Sequence, residues 1–259
     1  LGHGEDGDGV LNLRLDAVIE RRLLLNYRAD PSVVARLLPA PFRPRLRAGH
    51  AVVGICLLRL ARTRWAGLPR LLGFGSENAA HRFAVSWDGP DGPRDGVYIP
   101  RRDSTSRLNV AVGARLFPGV HHRAAFDVAE RSDRLRVAYA TNDGSVAADV
   151  EVRVTDRLSG SALFDTTEQA SEFFRLGSVG YSTGREGGEF PGMELSTSAW
   201  RIEPCAVDRA ASSFYDDRAN FPTGAIQLDS ALLMRKVPVR WTALAPLSVR
   251  TGLPASSAG

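Results

Sequence analysis

The feature that most limits what this chain can fold into lies between residues 123 and 155. "RAAFDVAE", "LRVAYAT" and "AADVEVRVT" follow one another as short stretches in which apolar and polar residues alternate. A strand turns successive side chains to opposite faces, so this period fits half-buried strands rather than a helix. In the first stretch Phe126 and Val128 fall on one side, and Ala125, Asp127 and Ala129 on the other. The stretches are parted by "RSD" at 131–133 and "NDG" at 142–144, and the latter, set between two alternating runs, is a hairpin signal. "DGPDG" at 88–92 is a turn of the same kind. Strands are therefore expected at 23–27, 51–60, 81–87, 97–99, 123–130, 135–141, 147–155, 194–207 and 230–239.

Two segments read as helices. In "DPSVVARLLPAPF", Asp30 can cap, Pro31 fits the first helical position, Val33, Val34, Leu37 and Leu38 form an apolar face, and Pro39 and Pro41 end it. In "DTTEQASEFFRLG", Thr166 and Gln169 have capping-box spacing, Phe173 and Phe174 supply the apolar side, and Gly177 sits at the end. Many strands and few helices imply a mainly β, α+β fold: an antiparallel β-barrel or cone with a few peripheral helices. The chain, 259 residues and 44% hydrophobic, can bury a core without disulfide or metal staples. Residues 1–17, opening on "LGHGEDGDGV", read as a loose tail and 18–250 as one domain; the missing initiator Met suggests a trimmed or tagged chain. "GYSTGREGGEFPGM" at 180–193 reads as a surface loop or a lid.

Charge and cysteine usage exclude several classes. There are 33 basic and 29 acidic residues, net +4, but the arginines are scattered among acids and no basic stripe is interleaved with aromatics, so nucleic acid is not an expected partner. No apolar run is long enough to span a membrane. Cys56 and Cys205 both lie in apolar settings, which points to buried free thiols and a cytoplasmic protein.

The candidate site is "GVYIPRRDSTSRLN", where Arg101 and Arg102 follow an apolar strand and a proline. Paired guanidinium groups suit a carboxylate or phosphate; the alternative is an internal ion pair with Asp103 or another acid. Tyr98 and Ser104 flank the arginines and are candidate substrate contacts. His121 and His122 point to opposite faces of a strand, so a shared metal ion is not expected, and His121 is the candidate pocket residue. No metal or cofactor motif is found: "GFGSEN" at 73–78 lacks the full glycine spacing of a nucleotide loop, and Ser104 lies in no nucleophile elbow. "FYDDRANFP" at 214–222 is a candidate cavity wall or an exposed turn.

Four stretches, "RRLLLNYRADPSVVARLLPAPFRP", "GSENAAHRFAVSW", "GVYIPRRDSTSRLN" and "LDSALLMRKVPVRW", resemble the YqjF-type family of bacterial proteins, which is grouped by fold with acetoacetate decarboxylases. The resemblance spans residues 18 to 241. It implies the acetoacetate-decarboxylase-like fold, a homo-oligomer, and a pocket glutamate at Glu77, which on an extended segment shares a face with His81. In the decarboxylases the first lysine of a "YPKK"-like turn forms an imine with the substrate. Here Arg101 resembles that lysine and Arg102 its neighbour, and an arginine does not lose its proton to become an imine-forming amine. Lys236, the one lysine in the chain, lies in another motif. The implied function is an enzyme without a Schiff-base lysine, of decarboxylase, dehydratase or enolising type, acting on a small acidic or carbonyl-containing molecule. Glu77, Arg101 and His81 are its candidate catalytic residues, and Arg102, Ser104, His121 and Tyr98 its substrate contacts. A non-catalytic binding protein for a small carboxylate is the alternative.

Overall fold

The computed structural model describes residues 14–69, 71, 73–106, 117–184 and 188–248. The chain runs β1 (Arg14–Ala29), α1 (Pro31–Leu37), two short strands β2 (Arg43–Pro44) and β3 (Leu46–Arg47), β4 (His50–Trp65), β5 (Phe74–Gly89), β6 (Gly92–Ser104), β7 (His121–Glu130), β8 (Arg134–Thr141), β9 (Ala147–Val154), α2 (Thr167–Leu176), β10 (Val179–Tyr181), β11 (Glu189–Ser196), β12 (Glu203–Ser212) and β13 (Ile226–Ser248).

The hairpins sit where the turn residues place them. "RSD" joins β7 to β8, with the Arg131 amide donating to the Arg134 carbonyl, and "NDG" joins β8 to β9, with Gly144 at φ 69°. Both helices start as their caps require: Asp30 accepts from the amides of Ser32 and Val33, and the Thr166 hydroxyl from that of Gln169.

The strands form one mixed sheet that wraps into rings. Along it β13, β1, β4, β5 and β6 pair antiparallel as a continuous wall. The free edges of β6 and β13 are bridged twice. One bridge is β10–β11; the other is β7–β8–β9–β12. β13 serves both because it is 23 residues long: Ala231–Leu233 pairs with β12, and the stretch from Arg240 to Ser248 with β11. β6 likewise meets β10 through Val97 and Tyr98 and β7 through Arg102–Ser104. These last two contacts are parallel, so the sheet is mixed where an antiparallel barrel was expected. A parallel neighbour cannot be reached by a tight turn, and β6 ends at Ser104 while β7 begins at His121. The strand expected at 194–207 is two strands, since β11 and β12 are held by different stretches of β13. The stretch expected as a loop or lid at 180–193 contributes β10 and β11 from its two ends, with 185–187 outside the described residues. β1 begins at Arg14, inside the stretch expected as a tail.

The wall is buried on both faces, which is why its strands read as apolar runs: Leu23, Leu24 and Leu25 are all fully buried. One face carries Leu23, Leu25, Ile55, Leu57 and Phe83 against Val137, Val150 and Val152 of the β7–β9 arm. The other carries Leu24, Cys56, Ala80 and Ile99 against Phe173 and Phe174 of α2, and further along Ile19, Leu60, Met234 and Trp241. Each buried phenylalanine of α2 stabilises this docking by about 1.5–3 kcal/mol. No helix among the described residues is long and apolar enough to cross a membrane.

Candidate functional site

A cavity of about 120 Å³ lies on the α2 face of the wall. Its floor is set by sheet register. Cys56 of β4 stands opposite Ala80 of β5, which stands opposite Arg102 of β6. One row along, Leu58, Asn78 and Ser104 are aligned in the same way. The small side chains of Cys56 and Ala80 leave the space that larger ones would fill. Arg22 from β1, Arg82 from β5 and Arg102 rise around it, and His121 from the start of β7 closes the β6 side.

A bulge decides which of the two adjacent arginines enters. His81 pairs with Arg101, but Phe83 pairs with Tyr98, so β6 has one residue more than β5 between these points. Pro100 lies in this extra step, where a missing N–H costs no ladder bond. The extra residue reverses the alternation. Val97 and Ile99 face the cavity before it, and Arg102 and Ser104 after it. A matching irregularity in β1 between Ile19 and Arg21 puts Ile19 and Arg22 on the cavity side and Arg21 on the other.

The guanidinium groups of the cavity have few protein partners. Arg102 donates from Nε to the Pro118 carbonyl at 2.9 Å. Arg22 donates from Nε to Cys56 Sγ at 3.2 Å. Arg82, 3% exposed, donates to the Asn26 side chain, lies 4.7 Å from the Phe174 ring centre, and has a buried Nε with no partner. Gly54 keeps this corner open: a Cβ there would lie 2.3 Å from the Leu25 carbonyl oxygen and 3.3 Å from the Arg82 guanidinium. None of the three arginines pairs with a carboxylate among the described residues. Burial pulls Arg82 and Arg102 each down to about 10, which leaves both charged at neutral pH. His121 donates from Nε2 to the Phe117 carbonyl at 2.8 Å, so Nδ1 is its acceptor atom. Burial, and then the Arg102 charge, hold His121 down at about 4. Ser104 donates to Asn78 Oδ1 at 2.7 Å.

The remaining candidates lie on the opposite face. Arg101 donates from Nε to Asp103 Oδ1 at 2.9 Å, and Tyr139 donates to the other oxygen of Asp103 at 3.3 Å. His81 is fully buried against the Phe214 ring, 3.9 Å from Asp103, and burial followed by the Arg101 charge pulls it to about 3. Glu77 pairs with Arg21 at 2.5 Å and Arg59 at 3.5 Å. Burial raises its pKa against the pull of those two charges. Glu77 and His81 thus share a face but bond to different groups. Tyr98 bonds Thr183 and packs on Phe42. Tyr215 and Phe221 of the "FYDDRANFP" stretch are core residues of this face, not walls of the cavity. His122 contacts Asp143, and no group of three or more His, Cys, Asp and Glu among the described residues is placed to hold a metal ion. Arg22, Arg82 and Cys56 received no functional reading from sequence, since an arginine after an arginine in "ERRLLL" and another in "AAHRFA" carry no motif.

Residues 17–231 match the family DUF2071, uncharacterized conserved protein (COG2071). The chain belongs to the DUF2071 family. No curated protein sequence matches it significantly. Among solved structures, this DUF2071 protein is similar to the acetoacetate decarboxylase of Legionella pneumophila subsp. pneumophila str. Philadelphia 1. The identity is 12%, the match covers 95% of this chain and 92% of that one, and the TM-score is 0.59. It is also similar to the enduracididine biosynthesis enzyme MppR complexed with pyruvate, at 12% identity, 95% and 93% coverage and TM-score 0.62. A third is an acetoacetate decarboxylase-like enzyme from Sphingomonas wittichii RW1, at 11% identity, 95% and 97% coverage and TM-score 0.58. At these identities the likeness establishes the acetoacetate-decarboxylase-like fold.

Proposed function

We propose that this DUF2071 protein is an enzyme that holds a small acidic, carbonyl-containing metabolite in the α2-side cavity and acts on it without an imine. The observation that carries this reading is Arg102: a charged, half-buried guanidinium lining a cavity, with no described acid to neutralise it. A protein-bound anion would supply the missing counter-charge, and Arg102's terminal nitrogens suit a carboxylate or a developing enolate oxygen. In loss of carbon dioxide from a 3-oxo acid, the C–C bonding electrons pass to the carbonyl oxygen; in enolisation, the electrons of a C–H bond do so and His121 Nδ1 takes the proton. Both leave negative charge where fixed guanidinium groups stabilise it. Lys236 is exposed and lies outside the cavity lining, so the amine chemistry of a Schiff base has no described residue here. That MppR is described in complex with pyruvate favours a 2-oxo or 3-oxo acid as ligand class. The free, buried thiols of Cys56 and Cys205 fit a cytoplasmic setting.

A thermal-shift screen of small 2-oxo and 3-oxo acids tests the reading. The parent should be stabilised and Arg102→Gln should not be. Equal stabilisation of both proteins, or of neither, would sink it. A second reading, a binding protein without turnover, is favoured by one observation: no described carboxylate side chain faces the cavity to act as a base, since that of Asp103 is fully buried toward Arg101. Incubating a stabilising acid with the protein and following its consumption separates the two.

A further inference from the structure

We infer that the ligand of this cavity is a short dicarboxylate rather than a monocarboxylate. This rests on reading the cavity as an anion site and goes further by counting charges. Arg22, Arg82 and Arg102 all line it, and the carboxylate of Asp103, the one acid among the described residues that borders it, is fully buried toward Arg101 on the other face. A single carboxylate would neutralise one guanidinium and leave two like charges in a poorly solvated space. Burying uncompensated charge is costly, so a ligand with two negative groups gains more from the same site than one with a single group.

The arginines are also spread out. Arg102 stands on β6, two strands from Cys56 on β4, while Arg22 stands on β1 and bonds the Cys56 sulfur from the far side. Neighbouring strands lie about 4.8 Å apart, so the backbones of β1 and β6 are separated by about 14 Å across the floor, with the guanidinium groups reaching inward. Arg82 stands on β5, and its guanidinium reaches to the Asn26 side chain on β1. The positive charge thus falls at two places, Arg102 at the β6 side of the floor and Arg22 and Arg82 toward β1. Two carboxylates on a short chain match that spacing better than one tetrahedral dianion. The volume limits the chain: a cavity of about 120 Å³ is somewhat smaller than the roughly 150 Å³ that admits benzene, which confines the ligand to about three or four carbons.

The test is calorimetric titration at pH 8 with matched pairs, malonate against propionate and succinate against butyrate, with inorganic phosphate as a further arm. The dicarboxylate of each pair is expected to bind at least about tenfold more tightly than its monocarboxylate, the gain of one more charge-assisted contact. Arg22→Gln or Arg82→Gln should reduce that ratio toward one. Equal affinities within both pairs for the parent would overturn the dicarboxylate inference while leaving the anion site intact. Tighter binding of phosphate than of either dicarboxylate would overturn the two-place reading. No binding of any anion would overturn the anion site itself, and this inference with it.

Discussion

Arg101 and Arg102 are neighbours in the chain and opposites in the structure. Arg101 faces the interior lined by the β7–β9 arm, where Asp103 neutralises it at 2.9 Å and Tyr139 and His81 complete a buried cluster. Arg102 faces the cavity, where its one described partner is a main-chain carbonyl and the ionisable groups that feel its charge are His121 and Cys56. A charge that meets its counter-charge inside the protein is part of the architecture. A charge that does not is either a standing cost to folding or half of an interaction completed by something else. The difference between the two faces is the main reason to place function on the Arg102 side.

The largest expected effect breaks the neutral side. Asp103→Ala should lower stability by about 3–5 kcal/mol, because it strands the Arg101 charge and leaves Tyr139 without its acceptor. Arg102→Leu should leave the ligand-free protein as stable as the parent or more so, since it removes a half-buried charge with no described counterpart. Urea denaturation of both variants checks this. If Arg102→Leu costs as much as Asp103→Ala, the two faces do not differ in the way described.

Next in size is the effect on binding. Arg102→Gln should weaken small carboxylates by about 10- to 100-fold, the loss of one hydrogen-bonded charge contact, while Arg101→Gln should leave their affinity within about twofold. The reverse pattern would move the site to the other face.

The β7–β9 meander was legible because its strands have one face partly open, and alternation survives there; Phe126 and Asp127 differ in chemistry because they differ in surroundings. The wall was legible only as apolar runs, because Leu23, Leu24 and Leu25 are buried alike and carry no face label. The pairing of β6 with β7 and β10 depends on a crossover and on contacts distant in sequence, which no local pattern encodes. The cavity was half legible. "IPRR" marks the strand end that borders it, but strict alternation puts Arg101 with Val97 and Ile99 and leaves Arg102 with Tyr98. The bulge at Pro100 exchanges them. Proline was visible as a break, and its consequence for every side chain beyond it was not. Arg22 and Arg82 join the cavity through strands β1 and β5, and only the register of the wall brings them to Arg102.

A smaller effect sharpens the electrostatic part of the comparison. His121 is held at about 4 by burial and by Arg102. An unfolded histidine binds its proton near pH 6.5, so between about pH 6.5 and 4 the unfolded chain takes up more protons than the folded one. Stability should therefore fall as pH drops through that window, and His121→Gln should make the fall shallower. His81, held at about 3 on the other face, contributes with the same sign in both proteins. Arg102→Gln should raise the His121 midpoint and Arg101→Gln should not, as read by imidazole NMR titration. A midpoint unmoved by Arg102→Gln would show that burial acts alone.

The smallest effect contrasts the two cysteines. Cys205 is buried away from the cavity, and burial, with Glu203 nearby, pushes its thiol up to about 12. Cys56 lines the cavity and receives a hydrogen bond from Arg22. An anionic alkylating reagent should be concentrated at Cys56 by the same field that would hold a carboxylate, whereas a neutral reagent of equal size should not. Iodoacetate should therefore label Cys56 severalfold faster relative to iodoacetamide than it labels a thiol of the denatured chain, with Cys205 labelled by neither in the folded protein. The preference should shrink in Arg102→Gln and in high salt, because screening weakens attraction to the entrance. If Cys56 shows the same iodoacetate-to-iodoacetamide ratio as the denatured chain, the cavity does not draw anions, and the contrast between the neutralised and the open face loses its electrostatic basis.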